Sequence, residues 1–109
     1  MEMNERIVSA LSTIAPTAPD SWIGNADEYI TFSFNVAPEE WADDRALNDV
    51  YSVSVHFFAP HGKESCGQRG AIKSAIFNEF EVQCSIVNAS DGDGQHYVFE
   101  FEVTDTWRD

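Results

Sequence analysis

Five side chains could ligate a metal or act as a nucleophile–base pair: His56, His61, His96, Cys66 and Cys84. No two of them fall at the close CxxC or HxxxH spacing of a zinc site. His56 and His96 share the polar parity of their strands, which makes them surface histidines on a wet sheet face. Cys84 lies on the inward parity of its segment, where a thiol is usually inert, and Cys66 lacks the surroundings of an activated nucleophile. Both are expected to be reduced, partly buried thiols, with a disulfide as the alternative in an oxidising setting. "DGDGQH", residues 91–96, lacks the third ligand and terminal Glu of an EF-hand loop and reads as a hairpin turn in which glycine supplies a positive φ. Gly62, Gly67 and Gly70 match no phosphate-binding fingerprint. "NAS" at 88–90 is a glycosylation sequon, without consequence in a chain lacking a secretory signal. Glu100 and Glu102 sit side by side on a strand as ordinary solvated carboxylates. These residues point to no enzyme, no cofactor and no bound metal.

The elements that must position these side chains follow from hydrophobic periodicity. Ile7, Val8, Leu11 and Ile14 predict a helix over 3–14, with Asn4 as its cap and Pro16 and Pro19 ending it. "YITFSFN", 29–35, alternates with Ile30, Phe32 and Phe34 on the apolar parity. "DVYSVSVHFFA", 49–59, places Tyr51, Val53, Val55 and Phe57 on one face and Ser52, Ser54 and His56 on the other. A helix over about 64–80 carries an apolar stripe of Ala71, Ile72, Ala75, Ile76 and Phe80. "EVQCSIV", 81–87, is a third strand with Val82, Cys84 and Ile86 inward. "GQHYVFEFEV", 94–103, is a fourth, with Tyr97, Phe99, Phe101 and Val103 inward and His96, Val98, Glu100 and Glu102 outward. The order αββαββ predicts an α+β single domain over residues 1–109, with a mostly antiparallel four-stranded sheet and two helices on one face.

Between the first two strands lies "VAPEEWADDRALN", residues 36–48, with neither a strand nor a convincing helix period. It is long for a link between neighbouring strands, so a mobile, functional loop is expected there. It carries four carboxylates, Glu39, Glu40, Asp43 and Asp44, around the single aromatic Trp41.

Charge narrows the function classes. Nineteen acidic against six basic residues give a formal net charge of −13, a field that repels phosphates and disfavours holding nucleic acid or anionic lipid. It does not exclude a protein that DNA merely passes. No apolar run approaches a membrane span, and "MEMNERIV" has no leader pattern, so a cytoplasmic origin is expected.

Taken together, "YITFSFNVAPEEWADDRAL", "YSVSVHFFAPHG", the following helix and "GQHYVFEFEV" resemble the small tail terminator, or tail-completion, proteins of long-tailed phages and prophages. The likeness runs from about Tyr29 to Val103. It implies a subunit that assembles into a hexameric ring where the tail tube ends. Its partners would be the tube protein and head-completion or neck proteins, with DNA only as passing cargo and no membrane. It implies assembly in the host cytoplasm and residence in the virion tail. No active site is carried over. By this resemblance the 36–48 segment is the assembly segment, with Glu39, Glu40, Trp41, Asp43, Asp44, Arg45 and Leu47 as contact residues, and Glu100 and Glu102 are lumen-facing if the bare sheet face turns inward. The alternative is a small α+β ligand-binding or regulatory domain using the bare sheet face, with His56, His96, Ser52 and Ser54 as its polar contacts.

Overall fold

The computed structural model describes the backbone of residues 2–20, 24, 26–42 and 45–106, with side chains except those of 39–42, 45–47 and 105–106. Helix α1 (Met3–Leu11) is followed by strands β1 (Thr17–Pro19), β2 (Tyr29–Ala42) and β3 (Arg45–Ala59). Helix α2 (Cys66–Phe80) then leads to β4 (Ser85–Asn88) and β5 (Gln95–Thr106). The five strands form one mixed sheet in the order β1-β2-β3-β5-β4.

Alternation decides which face is covered. Ile30 and Phe32 of β2, Val53, Val55 and Phe57 of β3, and Phe99, Phe101 and Val103 of β5 are buried in one cluster with Met3, Ile7 and Leu11 of α1 and Ile72, Ile76 and Phe80 of α2. The ladder aligns these residues across strands: Ile30 opposes Phe57, Phe32 opposes Val55, and Val53 and Val55 oppose Phe101 and Phe99. Both helices therefore cover the same face. Arg6 links them, its guanidinium 3.0 Å from Glu79 and lying over the Phe80 ring.

The expectation of four antiparallel strands needs correction at the first edge. α1 ends at Leu11, and "TAP" pairs parallel to β2, with Ile30 donating to Pro16 O and Asp20 donating to Phe32 O, both at 2.8 Å. An edge strand tolerates Pro19 because a missing N–H costs nothing on an unpaired side. Asn4 is not the cap of α1; Glu2 holds that position without a side-chain bond.

β4 also starts later than its pattern predicts. Glu81 adopts the left-handed conformation that closes α2, so the chain cannot enter the sheet at once. Val82 and Cys84 still pack against the core, but Ile86 is 44% exposed. It occupies the inward parity, opposite Phe99, at an edge the helices do not cover. Ala71 likewise lies on the exposed side of α2.

The largest correction concerns 36–48, which is strand rather than loop. Glu39 pairs with Asn48, Trp41 with Ala46 and Ala42 with Arg45, so β2 and β3 form one long hairpin; Asp43 and Asp44 lie outside the described residues. Residues 35–38 are exposed on both parities, and a stretch of ribbon with neither face buried needs no β periodicity. Its backbone bonds come from continuing a ladder that the buried halves of the strands have already set. β1 ends opposite Phe32, which leaves the outer edge of β2 open and allows Pro38 in the ladder. The molecule is correspondingly long, 55 × 23 × 22 Å.

Gly94 meets both a conformational and a steric demand, with a φ of +158° that residues bearing a side chain rarely adopt. A Cβ there would stand 2.9 Å from Ala59 O. The positive φ expected of a glycine in this turn falls on Gly94, not on Gly92.

Truncating Phe99, which is fully buried, to Ala should cost about 3–5 kcal/mol, whereas Ile86→Ala should stay within about 0.5 kcal/mol. Urea unfolding of the two variants checks the contrast; equal losses would mean that a further layer covers β4.

Candidate binding face of the sheet

The uncovered face carries Tyr29, Thr31, Ser33 and Asn35 from β2, Ser52, Ser54, His56 and Phe58 from β3, and His96, Val98, Glu100 and Glu102 from β5. Register brings residues far apart in the chain together. Tyr29 opposes Phe58, and Phe58 opposes His96, so three rings stand in a row across three strands. Tyr29 and Phe58 stack at 4.8 Å between centroids, and Phe58 and His96 at 4.3 Å, each pair tilted by 20°. These distances are close to the spacing between neighbouring strands, which is why rings on adjacent strands can stack.

His56 completes the row diagonally. Its Nδ1 lies 2.8 Å from His96 Nε2, so one imidazole donates an N–H to the lone pair of the other. Thr31 and Val98 flank His56 on the adjoining strands. Burial lowers the His56 pKa below 6.5, the nearby His96 lowers it further, and Glu100 opposes both.

Beyond the rings, at the end of the sheet, opens a cleft of about 450 Å³. Tyr29, Phe58 and His96 form its wall, with Asp27 in the bend before β2 and Asp91 and Asp93 in the turn before β5. The loop beneath is fastened by Gln95, whose Nε2 donates to the carbonyls of Pro60 and Lys63 and whose Oε1 accepts from Ser65 Oγ, each at 2.7 Å. Ser65 is buried, so this bond removes an otherwise costly unpaired hydroxyl. Farther along the same face, Ser52, Ser54, Ser85, Glu100 and Glu102 border a shallow trough of about 360 Å³.

The residues singled out from the sequence thus separate into two groups. His56 and His96 meet, with Ser52, Ser54, Glu100 and Glu102 on the same face. Glu39, Glu40 and Trp41 belong to β2 and Arg45 and Leu47 to β3, at the opposite end of the hairpin. Twelve residues separate Tyr29 from Trp41, roughly 40 Å along a strand. Sequence reasoning missed Tyr29 and Phe58. Their signal was an aromatic residue on the polar parity of each strand, where nothing in the core requires one.

The thiols are placed apart. Cys66 is exposed at the start of α2, not partly buried as expected, because it falls outside the Ile72–Ile76–Phe80 stripe. Cys84 is half-buried and free, and burial raises its pKa, which keeps it a thiol. Among the described residues no group of three or more His, Cys, Asp or Glu could hold a metal ion, and no helix is long and apolar enough to cross a membrane.

The lowered His56 pKa has a defined consequence for stability. As pH falls through 6.5 the unfolded chain binds the proton before the folded one, so stability present above pH 6.5 is lost towards the folded-state value. Denaturant midpoints of the wild type and His56→Gln should keep a constant difference above about pH 7.5. Below pH 6.5 the wild type should lose ground to the variant; parallel profiles down to pH 5 would contradict the shift.

No protein-family model and no curated protein matches this chain.

Proposed function

We propose that the chain is a non-catalytic structural subunit of a phage or prophage tail, a tail-terminator-like protein that builds a ring at the end of the tail tube. The observation that carries this is the uncovered hairpin arm. It lies where the resemblance to the terminator family expects the assembly segment, and its described residues 35–38 are exposed although the ladder through them is continuous. A ladder that runs on past the core while residues 35–38 stay exposed offers an ordered surface suited to contacts with another subunit. Val36, 48% exposed on the parity that is buried further along β2, fits that role. The tube protein and neck proteins are the partners of the ring, and DNA is its cargo.

In this assembly Trp41 is the anchor, an aromatic amid carboxylates near the hairpin tip. Trp41→Ala should leave the fold intact and weaken ring formation by about 2 kcal/mol, roughly thirtyfold. Mass measurement across concentration, with electron microscopy of the oligomer, tests both the ring and the anchor. Rings unaffected by the substitution would remove the arm from the interface.

With the open face turned inward, Glu100 and Glu102 line the channel with negative charge and keep DNA from adhering. Both are exposed and outside the core, so replacing both with Lys should preserve folding and rings. The altered rings should acquire DNA binding that weakens with salt. Rings that still bind no DNA would put these carboxylates on the outer surface.

The cleft beside the stacked rings favours a second function, a ligand-binding or regulatory domain. A strict monomer at high concentration that binds a small molecule saturably, with binding lost in Phe58→Ala, would establish it in place of the ring.

A further inference from the structure

A close polar contact on the open face joins two titratable groups of the same kind. A hydrogen bond of 2.8 Å between two imidazole nitrogens requires a lone pair on one of them. With both rings neutral, or with one charged, that lone pair exists. With both charged, each nitrogen carries a hydrogen and two positive rings confront each other at bonding distance. The arrangement then has no attractive term left and a repulsive one in its place.

We propose that His56 and His96 form a proton-operated latch on the open sheet face: it is closed while at most one ring is charged and opens when both are. His96 is held on two sides in the closed state, by His56 through the N–N bond and by Phe58 through stacking at 4.3 Å. Since the same ring walls the cleft, its release alters the shape of that cleft and adds positive charge to it.

The surroundings determine which way the latch moves. On β3, His56 has Ser54 and Phe58 as its neighbours on this face; on β5, Val98 and Glu100; on β2, Thr31, with Tyr29 beyond it. Of these only Glu100 is charged at neutral pH, and it favours the proton on His56 against the burial that disfavours it. On β4, Val87 beside Val98 carries no charge. Around His96 the cleft adds Asp27, Asp91 and Asp93, and none of its described lining residues is Lys or Arg. Once both rings are charged, His96 is thus repelled by His56 on one side and faces carboxylates on the other. Neither helix packs on this face, so the ring is not confined by the core. The latch is independent of whether the chain forms rings, but a partner seated on the open face would meet a different surface on either side of the transition.

Nuclear magnetic resonance of the whole chain, labelled at histidine and phenylalanine and titrated from pH 8 to pH 5, tests the latch. The His56 ring should titrate below the ordinary histidine range in the wild type, and its midpoint should move up in His96→Gln. The cross-relaxation between the Phe58 and His96 rings should be present at neutral pH and disappear as the second proton binds. Amide spectra recorded alongside show whether the fold is kept. An unchanged His56 midpoint in a folded His96→Gln variant would overturn the coupling. Persistence of the Phe58–His96 signal at the acid end would overturn the opening, and that measurement needs no variant.

Discussion

Burial of one face of β3 between the helices and its pairing to β2 and β5 on both edges is the constraint from which the remaining geometry follows. Val53, Val55 and Phe57 are all but inaccessible to water, and each is aligned with an apolar residue on at least one neighbouring strand. In a strand the side-chain period is two, so a one-residue slip would turn all three outward and bury Ser54 and His56 instead. Register is thereby specified through the core alone. It then propagates in both directions beyond the core, towards the arm at one end and the ring row at the other.

The open face is the consequence. Since α1 and α2 are both committed to the inner side, nothing in the described chain covers Tyr29, Phe58, His56 and His96, and they satisfy one another by stacking and by the N–N bond. Each ring is half-buried by its neighbours rather than by a core. That intermediate environment makes His56 sensitive: it is dry enough for burial to oppose charge, yet still within reach of Glu100.

At the other end the same ladder carries the chain out of the core, and charge governs what it can meet. A net charge of −13 on a narrow molecule makes contact between like copies costly except where charges are sparse or paired. The cations with described side chains are largely engaged within the fold: Arg6 with Glu79, Lys63 with Glu28, and Arg69 over the Tyr97 ring. The arm mixes Arg45 and four carboxylates with Val36, Trp41 and Leu47, so its contacts must combine apolar anchoring with opposite charge on the partner.

Sequence alone was sufficient along the long strands and α2, where a local period reports burial, but not in 81–87, where Ile86 holds the inward parity and is exposed. The alternation in 29–35, 49–59 and 94–103 identified the inward sets, which share one cluster, and of the stripe read on α2 Ile72, Ala75, Ile76 and Phe80 face that cluster while Ala71 does not. Parity also placed His56, His96, Glu100 and Glu102 on the uncovered face. It could not show β1, whose three residues are too short for a period, nor the arm, whose pairing is inherited from the flanking strands. Nor could it show that His56 touches His96 or that Phe58 stacks on both its neighbours. Those contacts join residues up to 40 positions apart, and they depend on which residue opposes which across β2, β3 and β5. Periodicity gives the face of a residue but not its neighbour there; only the assembled sheet, with its register set by the buried side, decides that.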